Sequence, residues 1–162
     1  MAGCALTLPL GLGACGSSSS TPTTTSTTVQ VSAARCDLVT PAQIYVTVGV
    51  TVAQPRATVN GTTTLCTYKA SDLSRSIIVG FDSKATTTSF TDYRALLRTR
   101  GDHVGLILGL GDSAYYAVAT TGGTTVRTVV TRKGSDQVLV TGTATLTQLE
   151  ILATHALTKV TS

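Results

Sequence analysis

Tryptophan is absent from the 162 residues, phenylalanine occurs twice, and charged residues make up only 12% of the chain. That scarcity argues against a nucleic-acid surface, which interleaves stacking aromatics with dense Lys and Arg. The formal net charge of +4 is scattered, and its one basic cluster, residues 94–100 (RALLRTR), holds no aromatic side chain. A weakly basic face resting near anionic lipid headgroups is the better use of that charge. The only histidines are His103 and His155, and without C-x-x-C or H-x-x-x-H spacing they supply no zinc ligand set. Residues 105–112 (GLILGLGD) are glycine-rich but lack the Lys-Ser/Thr ending of a phosphate loop. We therefore expect no metal, no cofactor and no nucleic acid.

No apolar run reaches the roughly 20 residues that cross a bilayer. The run at residues 5–14 (ALTLPLGLGA) has instead the length of a signal-peptide h-region. Leu12-Gly13-Ala14-Cys15 then resembles the lipobox of bacterial lipoproteins, which implies that Cys15 becomes the acylated N-terminus of the mature protein. Stable anchoring takes two acyl chains, since each buried CH₂ contributes about 0.8 kcal/mol and one chain binds marginally. The uncharged Ser/Thr/Pro stretch after Cys15 has the composition of a disordered tether, and its Thr/Pro content resembles O-glycosylated stalks. Cys4 follows a second small-small pair but lacks the aliphatic run and the tether. The leader also lacks Lys and Arg, as it would if the native start lay further upstream. The expected organisation is a signal peptide over 1–14, a lipidated Cys15 with its tether over 15–34, and an extracytoplasmic domain over 35–162.

Export places Cys36 and Cys66 in an oxidising compartment, where an even pair reads as a disulfide. Closing a loop of about 30 residues stabilises by roughly 3 to 4 kcal/mol on the chain-entropy account.

Thr40, Pro41 and Gln43 form a capping box with Pro at N1, flanked by Val39 and Ile44 as a hydrophobic staple, and Gly49 closes this short helix. Strands are expected at 63–70 and 75–81, joined across Ser71-Asp72, with Ile77, Val79 and Phe81 on one face. Ser89 and Asp92 read as a second capping pair. Phe90, Tyr93, Leu96 and Leu97 then follow at helical spacing, and Gly101 is the stop. Strands at 114–120, 124–132 and 136–143 form a meander through turns at Gly122-Gly123 and Gly134-Ser135. Thr145 and Gln148 open a last helix whose stripe of Leu149, Leu152, Ala153, Ala156, Leu157 and Val160 faces a sheet. The expected fold is α+β, one antiparallel sheet of about five strands with helices packed on one face, in the order α-β-β-α-β-β-β-α.

Several of these pieces in order, residues 36–44 (CDLVTPAQI), 66–68 (CTY), 109–117 (GLGDSAYYA) and 129–140 (VVTRKGSDQVLV), together with the closing helix from Leu149, resemble actinobacterial secreted lipoproteins that carry a domain of unknown function. The resemblance implies a Cys36–Cys66 disulfide, an extracytoplasmic lipid-anchored domain and no established catalytic residues. In it, Tyr68 stands where many relatives carry Trp.

Residues 111–114 (GDSA) look like the nucleophile blocks of GDSL esterases and trypsin-like proteases, and Ser113 with His103 and Asp102 would make a triad. The esterase pattern wants an Asp three residues before a late His, and that position is Leu152; the protease pattern wants G-D-S-G-G. Triads are recognised by geometry, so these residues are left to the structure. Asn60-Gly61-Thr62 fits a glycosylation sequon and reads more simply as a turn. The functional expectation is a lipid-anchored envelope protein that binds an envelope partner or a lipid or glycan ligand, through an open sheet face or a cleft at its edge bearing Tyr115 and Tyr116. A passive structural lipoprotein is the alternative, and a serine hydrolase using Ser113 the third.

Overall fold

The computed structural model describes residues 34–161, so that Cys4, Cys15 and the tether up to residue 33 lie outside the described residues. Helix α1 (Pro41–Val48) begins at the expected box: Gln43 N–H donates to Thr40 Oγ1 and Thr40 N–H to Gln43 Oε1. Strands β1 (Arg56–Asn60), β2 (Thr63–Tyr68) and β3 (Ile77–Asp82) form an antiparallel run. Helix α2 (Thr87–Thr99) then carries the chain to the far edge, and β4 (His103–Ile107), β5 (Ser113–Thr121), β6 (Thr124–Lys133) and β7 (Asp136–Gly142) meander back until β7 pairs with β3. Helix α3 (Leu146–Val160) follows, opened by the Thr145/Gln148 box. The result is one antiparallel sheet in the order β1-β2-β3-β7-β6-β5-β4.

The class is α+β as expected, but the sheet has seven strands, and the order is α-β-β-β-α-β-β-β-β-α. The two strands beyond the expected five are its edges, β1 and β4. An edge strand has little surface to bury, so β1 is exposed throughout and its only apolar side chains are Ala57 and Val59, while Gly105 interrupts β4. The link from β2 to β3 is also wider than a Ser71-Asp72 turn, since a 3₁₀ turn at Leu73–Arg75 intervenes. The α2 box lies one turn earlier than Ser89/Asp92. Thr86 is the N-cap and Ser89 takes the N3 role, because Ala85, buried and bonded through its N–H to Ser135 O at 2.9 Å, fixes the chain just before Thr86.

Helices cover both faces and not one. Cys66, Val79, Val129, Val138 and Val140 share the face on which α1 and α3 pack, and Leu149, Leu152 and Leu157 of α3 are buried there. Burying each such side chain contributes roughly 1.5 to 3 kcal/mol. On the opposite face α2 sets Phe90 and Leu97 against Tyr115, Ala117 and Val130. Among the described residues no helix covers that face over β2 and β3, where Leu65 is exposed and Thr67 and Ile78 are half-buried.

Candidate functional site

Cys36 and Cys66 are bonded, with Cα atoms 5.4 Å apart, which ties the segment before α1 to β2. Two residues along the same strand, and therefore on the same face, Tyr68 is fully buried and its hydroxyl reaches the carbonyl oxygens of Cys36 and Val39 at 2.7 and 2.5 Å. The C-x-aromatic spacing of residues 66–68 is thus a two-point clamp, and this chain makes its second point with a phenol.

The residues of the hydrolase reading are not brought together. His103 pairs with Val118 and Ser113 with Arg132, so five strand positions, about 17 Å at 3.4 Å per residue, separate Ser113 from the neighbour of His103. Asp102 pairs instead with Arg100 at 2.7 Å. Asp112 accepts the Gly134 N–H at 2.8 Å while its own N–H donates to Arg132 O. Residues 111–114 therefore knit the β4–β5 loop to the β6–β7 turn. Among the described residues no group of three His, Cys, Asp or Glu side chains could hold a metal.

The expected aromatic patch is likewise rearranged. Tyr115 and Tyr116 are consecutive in β5 and so face opposite ways. Tyr115 is 0% exposed beneath α2, edge-on to Phe90 with ring centres 4.8 Å apart. Its hydroxyl has no hydrogen-bond partner among the described residues. Burial pushes that hydroxyl's pKa up, the neighbouring Tyr93 adds to the shift, and the nearby Arg94 opposes it. Tyr116 is half-buried on the other face, beside His103.

Two concavities gather exposed apolar side chains. One is a concavity of about 320 Å³ between α1 and α3, where Val46 and Ile151 stand out of the surface and His155 meets the side chain of Gln43. The contact of His155 with Gln43 spans 112 residues, and no local signal in the sequence announces it. The other is a groove of about 280 Å³ between the first two turns of α2 and the end of β4 with its following loop. Phe90 and Ile107 line it, Leu106 (62% exposed) and Leu108 (91% exposed) stand at it, and Arg94 projects from α2 onto it. Arg94 is half-buried and has neither an ion pair nor a hydrogen bond among the described residues. The groove's single carboxylate, Asp112, is held by Gly134. The available sequence sign of this apolar surface is the set Leu106, Leu108 and Leu110 interspersed with Gly105 and Gly109. The arrangement can seat an apolar group beside an anion. No family model, no curated protein and no solved structure matches this chain.

Proposed function

We propose that the protein is a binding module tethered outside the cell membrane through an acylated Cys15, and that the groove between α2 and the β4–β5 loop is its contact surface. The observation that carries this reading is the exposure of Leu106 and Leu108 beside an unpartnered, half-buried Arg94. Exposed aliphatic groups gathered at a concavity mark interaction sites, whereas a passive envelope component gains nothing from them. The Cys36–Cys66 disulfide supports an oxidising compartment. The lipobox and tether supply the address, as the resemblance to secreted actinobacterial lipoproteins implies.

The test is native mass spectrometry of the non-reduced protein taken from its own envelope, as wild type and as Leu106→Lys. The expected result is a diacylglyceryl-bearing chain beginning at Cys15 with a bound species that Leu106→Lys loses. An unprocessed chain would overturn the anchoring, and a bound species retained by Leu106→Lys would overturn the groove. Cys15→Ser should release the protein from membranes.

A further inference from the structure

The sheet has two edges, and they are built differently. Strand β1 is preceded by Pro55 and begins with Arg56, devices that discourage another strand from pairing there. Among the described residues strand β4 is hydrogen-bonded to β5 alone, and its five residues, His103, Val104, Gly105, Leu106 and Ile107, include no Pro, Lys, Arg, Asp or Glu. An edge with unpaired backbone groups and no blocking residue is a template for an added strand. The groove described above lies directly against it, with α2 as its far wall. An edge strand next to a helix-walled groove is the geometry of β-strand addition, in which backbone hydrogen bonds supply affinity and pockets for alternate side chains supply specificity.

We infer that the free edge of β4 accepts an extended peptide segment of a partner protein, with an aliphatic side chain against Phe90 and Leu106 and a carboxylate at Arg94. This rests on the groove being the contact surface and names the partner it takes. Charge selects this occupant over a second copy of the chain: β4 holds no Asp or Glu, so a second β4 strand brings no carboxylate of its own to Arg94. A partner carboxylate instead gives Arg94 the charge-assisted bond it lacks.

The experiment pans a display library of random octapeptides against the full, oxidised chain, then measures the best peptide against wild type, Arg94→Gln, Leu106→Lys and Ile151→Lys. The last variant marks the separate α1–α3 concavity. The expected result is enrichment of sequences joining an aliphatic residue to Asp or Glu, binding weakened about tenfold by Arg94→Gln and Leu106→Lys, and no change with Ile151→Lys. Amide exchange at residues 103–107 should slow when the peptide binds. Thermal unfolding of each variant separates lost binding from lost folding; Arg94→Gln breaks no bond among the described residues, and Leu106 is exposed, so both variants should fold. No enrichment, or binding that Ile151→Lys removes and Arg94→Gln does not, overturns the inference. So does concentration-dependent dimerisation lost in Leu106→Lys, or binding to phosphatidylglycerol vesicles alone. If the envelope-bound species is lost in Leu106→Lys while no peptide is enriched, the groove reading stands and strand addition falls. If that species survives Leu106→Lys, both fall.

Discussion

The hydroxyl of Tyr68 lies 2.5 Å from the carbonyl oxygen of Val39, and this bond joins β2 to the residue that precedes the N-cap of α1. Cys36 O lies 2.7 Å from the same hydroxyl, so its one proton is shared between two carbonyl oxygens. Tyr68→Phe removes that donor and is expected to destabilise the domain by about 1 to 3 kcal/mol. Tyr115→Phe is the matched control, because the Tyr115 hydroxyl has no partner to lose. It should be neutral or slightly stabilising. Urea unfolding of the two variants checks the contrast, and equal losses would refute the clamp.

The disulfide and the Tyr68 bond hold the same segment, so their effects should not add. The Cys36Ser/Cys66Ser chain opens a loop spanning 30 residues and is expected to lose about 3 kcal/mol. Adding Tyr68→Phe to it should cost less than in the oxidised protein, by about 0.5 to 1 kcal/mol of coupling. A double-mutant cycle by chemical denaturation measures this, and strict additivity would mean that the segment stays docked without its covalent tie.

Much of this architecture was legible because its signals are local. Thr40 with Gln43 and Thr145 with Gln148 each specify a helix start within four residues, and Gly122-Gly123 specifies a turn by its own backbone freedom. The edge strands were not legible, since β1 buries nothing and β4 contains Gly105. The second helical layer was missed for another reason. Val129-Val130 and Val138-Leu139-Val140 are unbroken apolar runs, and such runs mark strands that carry apolar side chains on both faces. Read that way, they foretell the layer that α2 supplies. The groove depends on which loop α2 happens to approach, and nothing local encodes that.

Stability should fall at alkaline pH. Burial pushes the Tyr68 and Tyr115 hydroxyls above the ordinary value of 10.0, with Asp37 adding to the shift at Tyr68. A folded-state pKa above the unfolded one favours the neutral phenol, so the contribution is whole below pH 10 and is lost as pH rises beyond it. Each group should cost about 1.4 kcal/mol per pH unit above that point. Unfolding free energies between pH 8 and 11.5 give the slope, which Tyr115→Phe should reduce. A flat profile in that range would contradict the burial of both phenols.

The loop that borders the groove should be intolerant at Gly111 and forgiving at Gly109. Both have positive φ, at 64° and 79°, so a side chain at either carries a backbone cost of about 1 to 2 kcal/mol. A Cβ at Gly109 meets nothing within 4 Å, whereas at Gly111 it would come within 2.6 Å of Arg132 O and of Thr131 Oγ1. Those atoms cannot move freely, because Arg132 O already accepts the Asp112 N–H at 2.8 Å and Thr131 Oγ1 donates to Leu110 O at 3.2 Å. Gly111→Ala must therefore displace the loop from β6, adding about 1 to 3 kcal/mol of overpacking. Thermal unfolding should place Gly111→Ala well below Gly109→Ala. The displaced loop also shifts Leu108 and Asp112, so Gly111→Ala should weaken any ligand of the groove while Gly109→Ala leaves it nearly unchanged. Equal stability of the two variants would show that the β4–β5 loop does not lie against β6.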